Sequence, residues 1–206
     1  MTQSWTEFRL EAFGEPYMVW HDGPDFYAFQ QRALADPTTV EAVLAEGLAE
    51  NDPLAAQSIA EADFDDGVEQ RMLPLLTEAL DRTNTTFRVR VAEALIRLTG
   101  SEQWSPAIVD VLLHAAFWSD RLDAAMALGH RVPTVDMIAA LMRGAQDPEY
   151  LVRYHSCNSL LRFAGRTEDI AALPDEFALL TAESHPESWA LVASGLAGAA
   201  SARLRS

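Results

Sequence analysis

The segment "EADFDDGVEQ", Glu61 to Gln70, places five acidic groups in ten positions, and the first chemistry this raises is cation binding. Asp63, Asp65, Asp66 and Glu69 are hard oxygen donors of the kind that hold calcium or magnesium. A calcium loop needs acids at places one, three and five, glycine at six and glutamate at twelve. Counted from Asp63, places five, six and twelve are Gly67, Val68 and Pro74, so the spacing fails. The segment reads instead as a surface for something positively charged, with no metal or cofactor expected.

The remaining reactive side chains make no familiar constellation. His21, His114, His130, His155 and His185 include no His-Glu pair and no His-x-x-x-His spacing. His155 and Cys157 in "RYHSCNS" raise a thiol nucleophile with a neighbouring base. Cys157, however, falls on an apolar helix stripe whose equivalent positions are Ile59, Ala92, Ala125 and Ala193, which suits a small buried hydrophobe. His155, two residues earlier, falls on another side of that helix. The chain has no G-x-G-x-x-G loop, and lysine is absent, which excludes the phosphate-loop lysine motif. Enzymatic activity is not expected.

Charge narrows the partners. With 31 acidic residues against 15 basic ones the net charge is −16, which opposes binding to a phosphate backbone. Met1 to Asp81 holds 17 acids and three arginines, and ten acids and no base lie between Arg32 and Arg71. No run reaches the roughly 18 apolar residues of a membrane span, and the start "MTQSWTEFRLEAFGEP" lacks a basic-then-apolar leader pattern. One cysteine excludes an internal disulfide framework. A cytoplasmic protein, favoured as a monomer, with no nucleic-acid or membrane partner, is the expectation.

The elements that position these residues follow from an internal repeat. "AAQSIAEA", "RVRVAEAL", "RLDAAMAL", "RYHSCNSL" and "WALVASGL" begin at Ala55, Arg88, Arg121, Arg153 and Trp189, spacings of 33, 33, 32 and 36. Each carries apolar or small residues at its fourth, fifth, seventh and eighth places, a helical stripe narrow enough for close packing. "NDP", "QDP" and "SHP" stand ahead of three of these helices as start signals. Gly67, Gly100, Gly129 and Gly165 follow as stop signals. A second periodic stretch precedes each segment, so the spacing predicts helix pairs over about 39–66, 67–100, 105–130, 133–165 and 172–200. Stacked, these pairs make an all-α solenoid.

The segment "QDPEYLVRYHSCNSLLRFAG" (146 to 165), with weaker echoes in "FRVRVAEALIRLTG" and "SDRLDAAMALG", resembles the HEAT-repeat family. The resemblance spans roughly 39 to 200 and implies a right-handed superhelix whose second helices line the concave face. It also implies that Arg88, Arg121 and Arg153, which share the first place of consecutive second helices, form an intramolecular ladder to acidic or carbonyl groups, with Asp120 and Asp147 as candidates. The second and third places, Ala56/Gln57, Val89/Arg90, Leu122/Asp123, Tyr154/His155 and Ala190/Leu191, are expected on the exposed face. Such mixed chemistry suits a protein or peptide.

Residues 1 to 38 stand outside the repeat and hold eight of the 18 aromatic residues, which fits a cap over the open end of the array. "LEAFGEPYMVWHDGPDF" reads as an extended segment or short hairpin ahead of a helix near Pro24 to Leu34. Asp63, Asp65 and Asp66 are expected in the last turn of the first second-helix, where carboxylates oppose the helix dipole by about 0.3 to 1 kcal/mol each. Either that helix stops early, or the cost is tolerated for a partner.

Two functions stay open. One is a non-enzymatic module, of inhibitor, immunity or adaptor type, binding a basic protein or peptide. Its candidate contacts are Glu46, Glu50, Asp52, Glu61, Asp63, Asp65, Asp66 and Glu69, with Gln57, Arg90, Asp123 and His155. The other is an enzyme or small-molecule binder with a pocket between the aromatic cap and the first repeats, lined by Trp5, Trp20 and His21.

Overall fold

The computed structural model describes residues 3–182 and 185–206, the side chains of Met18, Trp20, Asp22 and Asp66 excepted. Among the described residues every regular element is helical. The order is α1 (Trp5–Phe13), α2 (Pro16–Asp22), α3 (Phe26–Ala35), α4 (Pro37–Ala49), α5 (Pro53–Glu61), α6 (Asp66–Ala79), α7 (Thr86–Thr99), α8 (Ser105–His114), α9 (Trp118–Leu128), α10 (Val135–Gly144), α11 (Tyr150–Phe163), α12 (Pro174–Thr181) and α13 (Pro186–Leu204). Short 3-10 turns precede α8 and α12. No helix among the described residues is long and apolar enough to cross a membrane.

Local chemistry explains where these helices start. Asp25, Asp36, Asp52, Asp65 and Thr134 each accept a backbone N–H of the following first turn, satisfying a donor that the helix itself leaves orphaned. Proline sits in the first turn of α2, α4, α5, α8, α12 and α13, where its missing N–H costs nothing. Gly100 and Gly165 lie just past α7 and α11 with φ of +65° and +76°, the left-handed geometry that closes a helix without a Cβ clash. The "SHP" signal falls partly outside the described residues, at Ser184.

Among the described residues the aromatic-rich start is helical and contains no hairpin, which corrects the extended reading of residues 10 to 26. Ser4 and Glu7 form a reciprocal capping box that starts α1. The Gly14 and Gly23 segments, which resemble hairpin turns in sequence, instead separate three consecutive helices.

The chain divides into two compact units, residues 1–83 with 90–101, and residues 84–89 with 102–206. In the first, α1 packs on α3 and α4, α3 on α4 and α5, and α4 on α5 and α6. Trp5, Phe8, Phe13 and Phe29 form a chain of ring contacts with centroids 5.5 to 6.1 Å apart, over a buried floor that includes Leu44, Leu48 and Ile59. In the second, α8 packs on α9 and α10, α9 on α11, and α13 on α10, α11 and α12. Ile108, Leu128, Leu141 and Leu160 are fully buried there. Small residues set the helix spacing: a Cβ on Gly129 or Gly144 would collide with Ser159 or Ser156.

Candidate functional site

The acidic segment does not end a helix. Helix α5 stops at Glu61 with Ala62 as its cap, residues 63 to 65 are a short connection, and α6 starts at Asp66. The Asp65 carboxylate accepts the Val68 N–H at 2.9 Å, so Asp65 is an N-cap. Gly67 lies in the first turn of α6 and is not a stop signal. The reason is electrostatic: a helix N-terminus is the positive end of the dipole and carries unpaired N–H donors, and an aspartate there satisfies both. The side chain of Asp66 lies outside the described residues.

The other carboxylates divide by environment. Asp52 is only 12% exposed in its side chain and is saturated by the Trp5 indole N–H at 2.9 Å, the Arg9 guanidinium at 2.6 Å and the Leu54 N–H at 2.9 Å. Glu46 accepts the Trp5 backbone N–H at 3.1 Å. Both hold α1 in place, but only Asp52 is withdrawn from solvent; Glu46 is an exposed residue that gives one oxygen to the Trp5 N–H. Glu50 and Glu61 are exposed, and Glu69 is half-buried. Asp63 is 87% exposed in its side chain, with Arg97 at 3.3 Å, and its backbone is tied to the Gln30 amide. Glu41, which the sequence did not single out, is drawn below its ordinary value by a two-pronged bond from Arg71, 2.6 Å on each prong.

Trp5 is 1% exposed and cannot line a pocket between cap and repeats. Trp20 lies outside the described side chains, and His21 is exposed.

The three arginines at equivalent places each find partners inside the second unit. Arg88 donates to Asp110 at 2.5 Å. Arg121 donates through Nε and Nη2 to the two oxygens of Asp147, at 2.7 and 3.1 Å, and through Nη1 to the Ala115 and Ala116 carbonyls. Arg153 donates to the Asp147 and Pro148 carbonyls at 2.8 Å each and lies 3.9 Å over the Trp189 ring, a cation–π contact in place of a carboxylate. Asp120 serves Thr86, accepting its N–H at 2.8 Å.

The third-place residues are spread over different environments. Gln57, Arg90, Asp123 and His155 are half-buried, Leu191 is exposed, and the second-place Ala56 and Val89 are fully buried. Arg90 pairs with Glu93 at 2.7 Å, and Asp123 faces the Thr86 hydroxyl at 2.7 Å.

His155 joins a cavity of about 270 Å³ on the faces of α9 and α11, with Met126, His130, Tyr154, Asn158, Arg162 and Asp169. Asp169 is held below its ordinary range. Burial works against this, and bonds from the Tyr154 hydroxyl (2.6 Å), the Ala171 N–H (2.8 Å) and the Asn158 amide (2.8 Å) outweigh it. Burial keeps His155 below its ordinary value, with Asp169 opposing and Arg162 reinforcing that shift. Arg162 lies 3.0 Å from His130 Nε2, a nitrogen that accepts the guanidinium proton only while the ring is neutral. Sequence reasoning missed this cluster. Its one signal was Met126, an exposed apolar residue off the core stripe of α9.

Cys157 is fully buried and burial pushes its thiol up to about 12, so no thiolate forms near neutral pH. Among the described residues no three His, Cys, Asp or Glu side chains converge to hold a metal ion. No family model, curated protein or solved structure matches the chain.

Proposed function

We propose that the chain is a non-enzymatic interaction module of HEAT-like helix pairs that takes a basic protein or peptide on the acidic surface of its first unit. The observation that carries this is charge. The first unit holds 18 carboxylates and six arginines, a net charge of −12. Glu50, Glu61 and Asp63 stand exposed at the ends of α4 and α5. A field of one sign speeds encounter with the opposite sign and rejects like-charged partners. The docking surface in this reading excludes Asp52, which the fold uses internally, and keeps Glu46 only through its exposed edge.

The repeat reading draws support from the spacing of side-chain contacts. Arg97 with Asp63, Arg82 with the Leu48 carbonyl, Thr86 with Asp120, and Ser159 with the Ala125 carbonyl each join residues 34 apart. Arg162 with His130 joins residues 32 apart. Stacked copies of one helical unit bring equivalent positions together at the repeat length, and 33 is the period of the sequence. Residues 1–38 then cap the first pair, with the ring cluster of α1 and α3 covering what the next unit would cover.

An inhibitor or immunity-type protein masking a basic toxin and an adaptor in a larger assembly are both forms of this function. The test is retention of basic proteins on the immobilised chain. Retention is expected at low salt, with loss in high salt and in the E50Q/E61Q/D63N variant, since exposed charges beyond about 10 Å are screened at 0.1 M salt. Retention that ignores both salt and the variant sinks the proposal.

A further inference from the structure

The second unit carries an apolar groove that the acidic-surface reading does not use. It lies between α8 and α10 and has a volume of about 500 Å³, within the roughly 300 to 1,000 Å³ common for binding sites. Pro106, Val109 and Leu113 form one wall, and Met137, Ala139 and Ala140 the other. The two helices are ten residues each, and they run in the same direction. Gly144, at the end of α10, approaches the Leu112 side chain near the end of α8, and Glu102 and Ser105 share the opposite end with Thr134 and Asp136. The alanines keep the floor shallow enough for a partner backbone to come close.

Charge marks the two ends differently. Glu102 and Asp136 stand at the end where α8 and α10 begin. Arg143 stands at the end where they finish, and Leu113 and Arg143 also border a second cavity, of about 340 Å³, that contains His114, Gln146 and Asp147. Asp136 and Arg143 are exposed. An apolar trough about ten helical residues long, roughly 15 Å, with carboxylates at one end and a guanidinium at the other, has the form that receives an amphipathic helix.

We infer that the groove between α8 and α10 docks an amphipathic helix of a partner protein, antiparallel to both, with its basic last turn on Glu102 and Asp136 and its acidic first turn on Arg143. Helices ordinarily carry acids in the first turn and bases in the last, because their own dipole favours that arrangement. Such a helix matches this groove only when it runs antiparallel, and antiparallel helix dipoles side by side also attract. Its apolar face meets Pro106, Val109, Leu113 and Ala139, the apolar lining that solvent reaches. The inference concerns the second unit alone and does not depend on the acidic surface of the first.

The test uses the full chain and two labelled peptides of identical composition, each a 14-residue amphipathic helix. One carries Glu in its first turn and Lys in its last, and the other has these charges exchanged. Anisotropy should show saturable binding of the first peptide and about fivefold or more weaker binding of the second, the scale expected of two or three exposed charge pairs. The D136K/R143E variant should invert the ranking, and A139F, at an exposed position that lines the groove, should abolish binding of both peptides. Circular dichroism on each variant separates lost binding from lost fold. The inference is overturned if neither peptide binds, if the ranking survives the charge exchange, or if A139F leaves binding intact. It is equally overturned if sedimentation shows a dimer of the chain that A139F dissolves, which would assign the groove to a second copy.

Discussion

The indole N–H of Trp5 donates to the Asp52 carboxylate at 2.9 Å, joining the first helix to the N-cap of α5 across 47 positions of sequence. Asp52 accepts from Arg9 and from the Leu54 N–H through the same carboxyl group. One half-buried carboxylate therefore starts a helix and anchors another, and Gly47 leaves room for the ring that reaches it. A Cβ on Gly47 would lie 2.7 Å from both the Ala55 Cβ and the Trp5 ring.

Trp5→Ala should destabilise the protein by about 3 to 5 kcal/mol, the range for emptying a large aromatic site. Trp5→Phe should cost about 1 to 2 kcal/mol, because the ring volume is partly kept and only the donor is lost. Gly47→Ala should cost about 1 to 3 kcal/mol by overpacking against the same ring. Urea denaturation of the three variants measures all of these, and a Gly47→Ala protein as stable as the parent would contradict the contact.

Asp65→Ala should cost about 0.5 to 2 kcal/mol as the loss of a helix N-cap, with Asp65→Asn close to neutral since the amide oxygen also accepts. Asp63→Ala, two residues away, should stay within about 0.5 kcal/mol because its carboxylate is exposed and its ion pair long. Equal costs for Asp65→Ala and Asp63→Ala in thermal denaturation would contradict the N-cap assignment.

Arg121→Ala and Asp147→Ala should each destabilise by about 2 to 3 kcal/mol. That is below the range for a fully buried pair, since the side chains are 16% and 10% exposed. A double-mutant cycle should return a coupling of about 1 to 2 kcal/mol. Arg121→Lys should recover little, because a single ammonium cannot reproduce the two-pronged bond and the two carbonyl contacts. Full recovery by lysine would show that charge alone matters there.

His155 gives a pH dependence with a definite sign. Its folded pKa lies below the unfolded value because burial disfavours the imidazolium. The unfolded chain therefore binds the proton more readily. The stability this neutral ring contributes is present above its ordinary value of about 6.5 and is lost as pH falls below it. The parent protein should lose more stability between pH 7.5 and 5.5 than His155→Gln does. Urea midpoints at the two pH values measure the difference, and identical slopes would remove His155 as a contributor.

The sequence by itself determined the all-α class and part of the start and stop chemistry, the Asn-Asp-Pro start at Asp52 and the Gly100 and Gly165 stops, while Gly67 and the Gly14 and Gly23 segments read wrongly. The periodic apolar stripes and the Asp-Pro, Asn-Asp-Pro and glycine signals are local, and helix formation is decided largely by residues within four positions of one another. It also determined the acid excess of the first half, which is a count. What the tertiary structure decided is which of those acids are available. Glu46 and Asp52 read identically to Glu50 and Glu61 in the chain, yet the first two hold α1, Asp52 largely out of solvent and Glu46 from an exposed position, while Glu50 and Glu61 only face solvent. The difference comes from Trp5 and Arg9, which lie more than 35 positions away and arrive only because the aromatic cluster of α1 and α3 packs there. Asp65 shows the same limit at short range. Its partner Val68 is three residues on, but whether Asp65 closes one helix or opens the next depends on α5 ending at Glu61, four residues earlier. The cavity around His155 and the groove between α8 and α10 bring together side chains 20 to 40 positions apart. Val109, Leu113 and Ala139 in the groove and Met126 and His155 in the cavity keep solvent-facing surface on their own helices, and only the packing of neighbouring helices gives those faces walls.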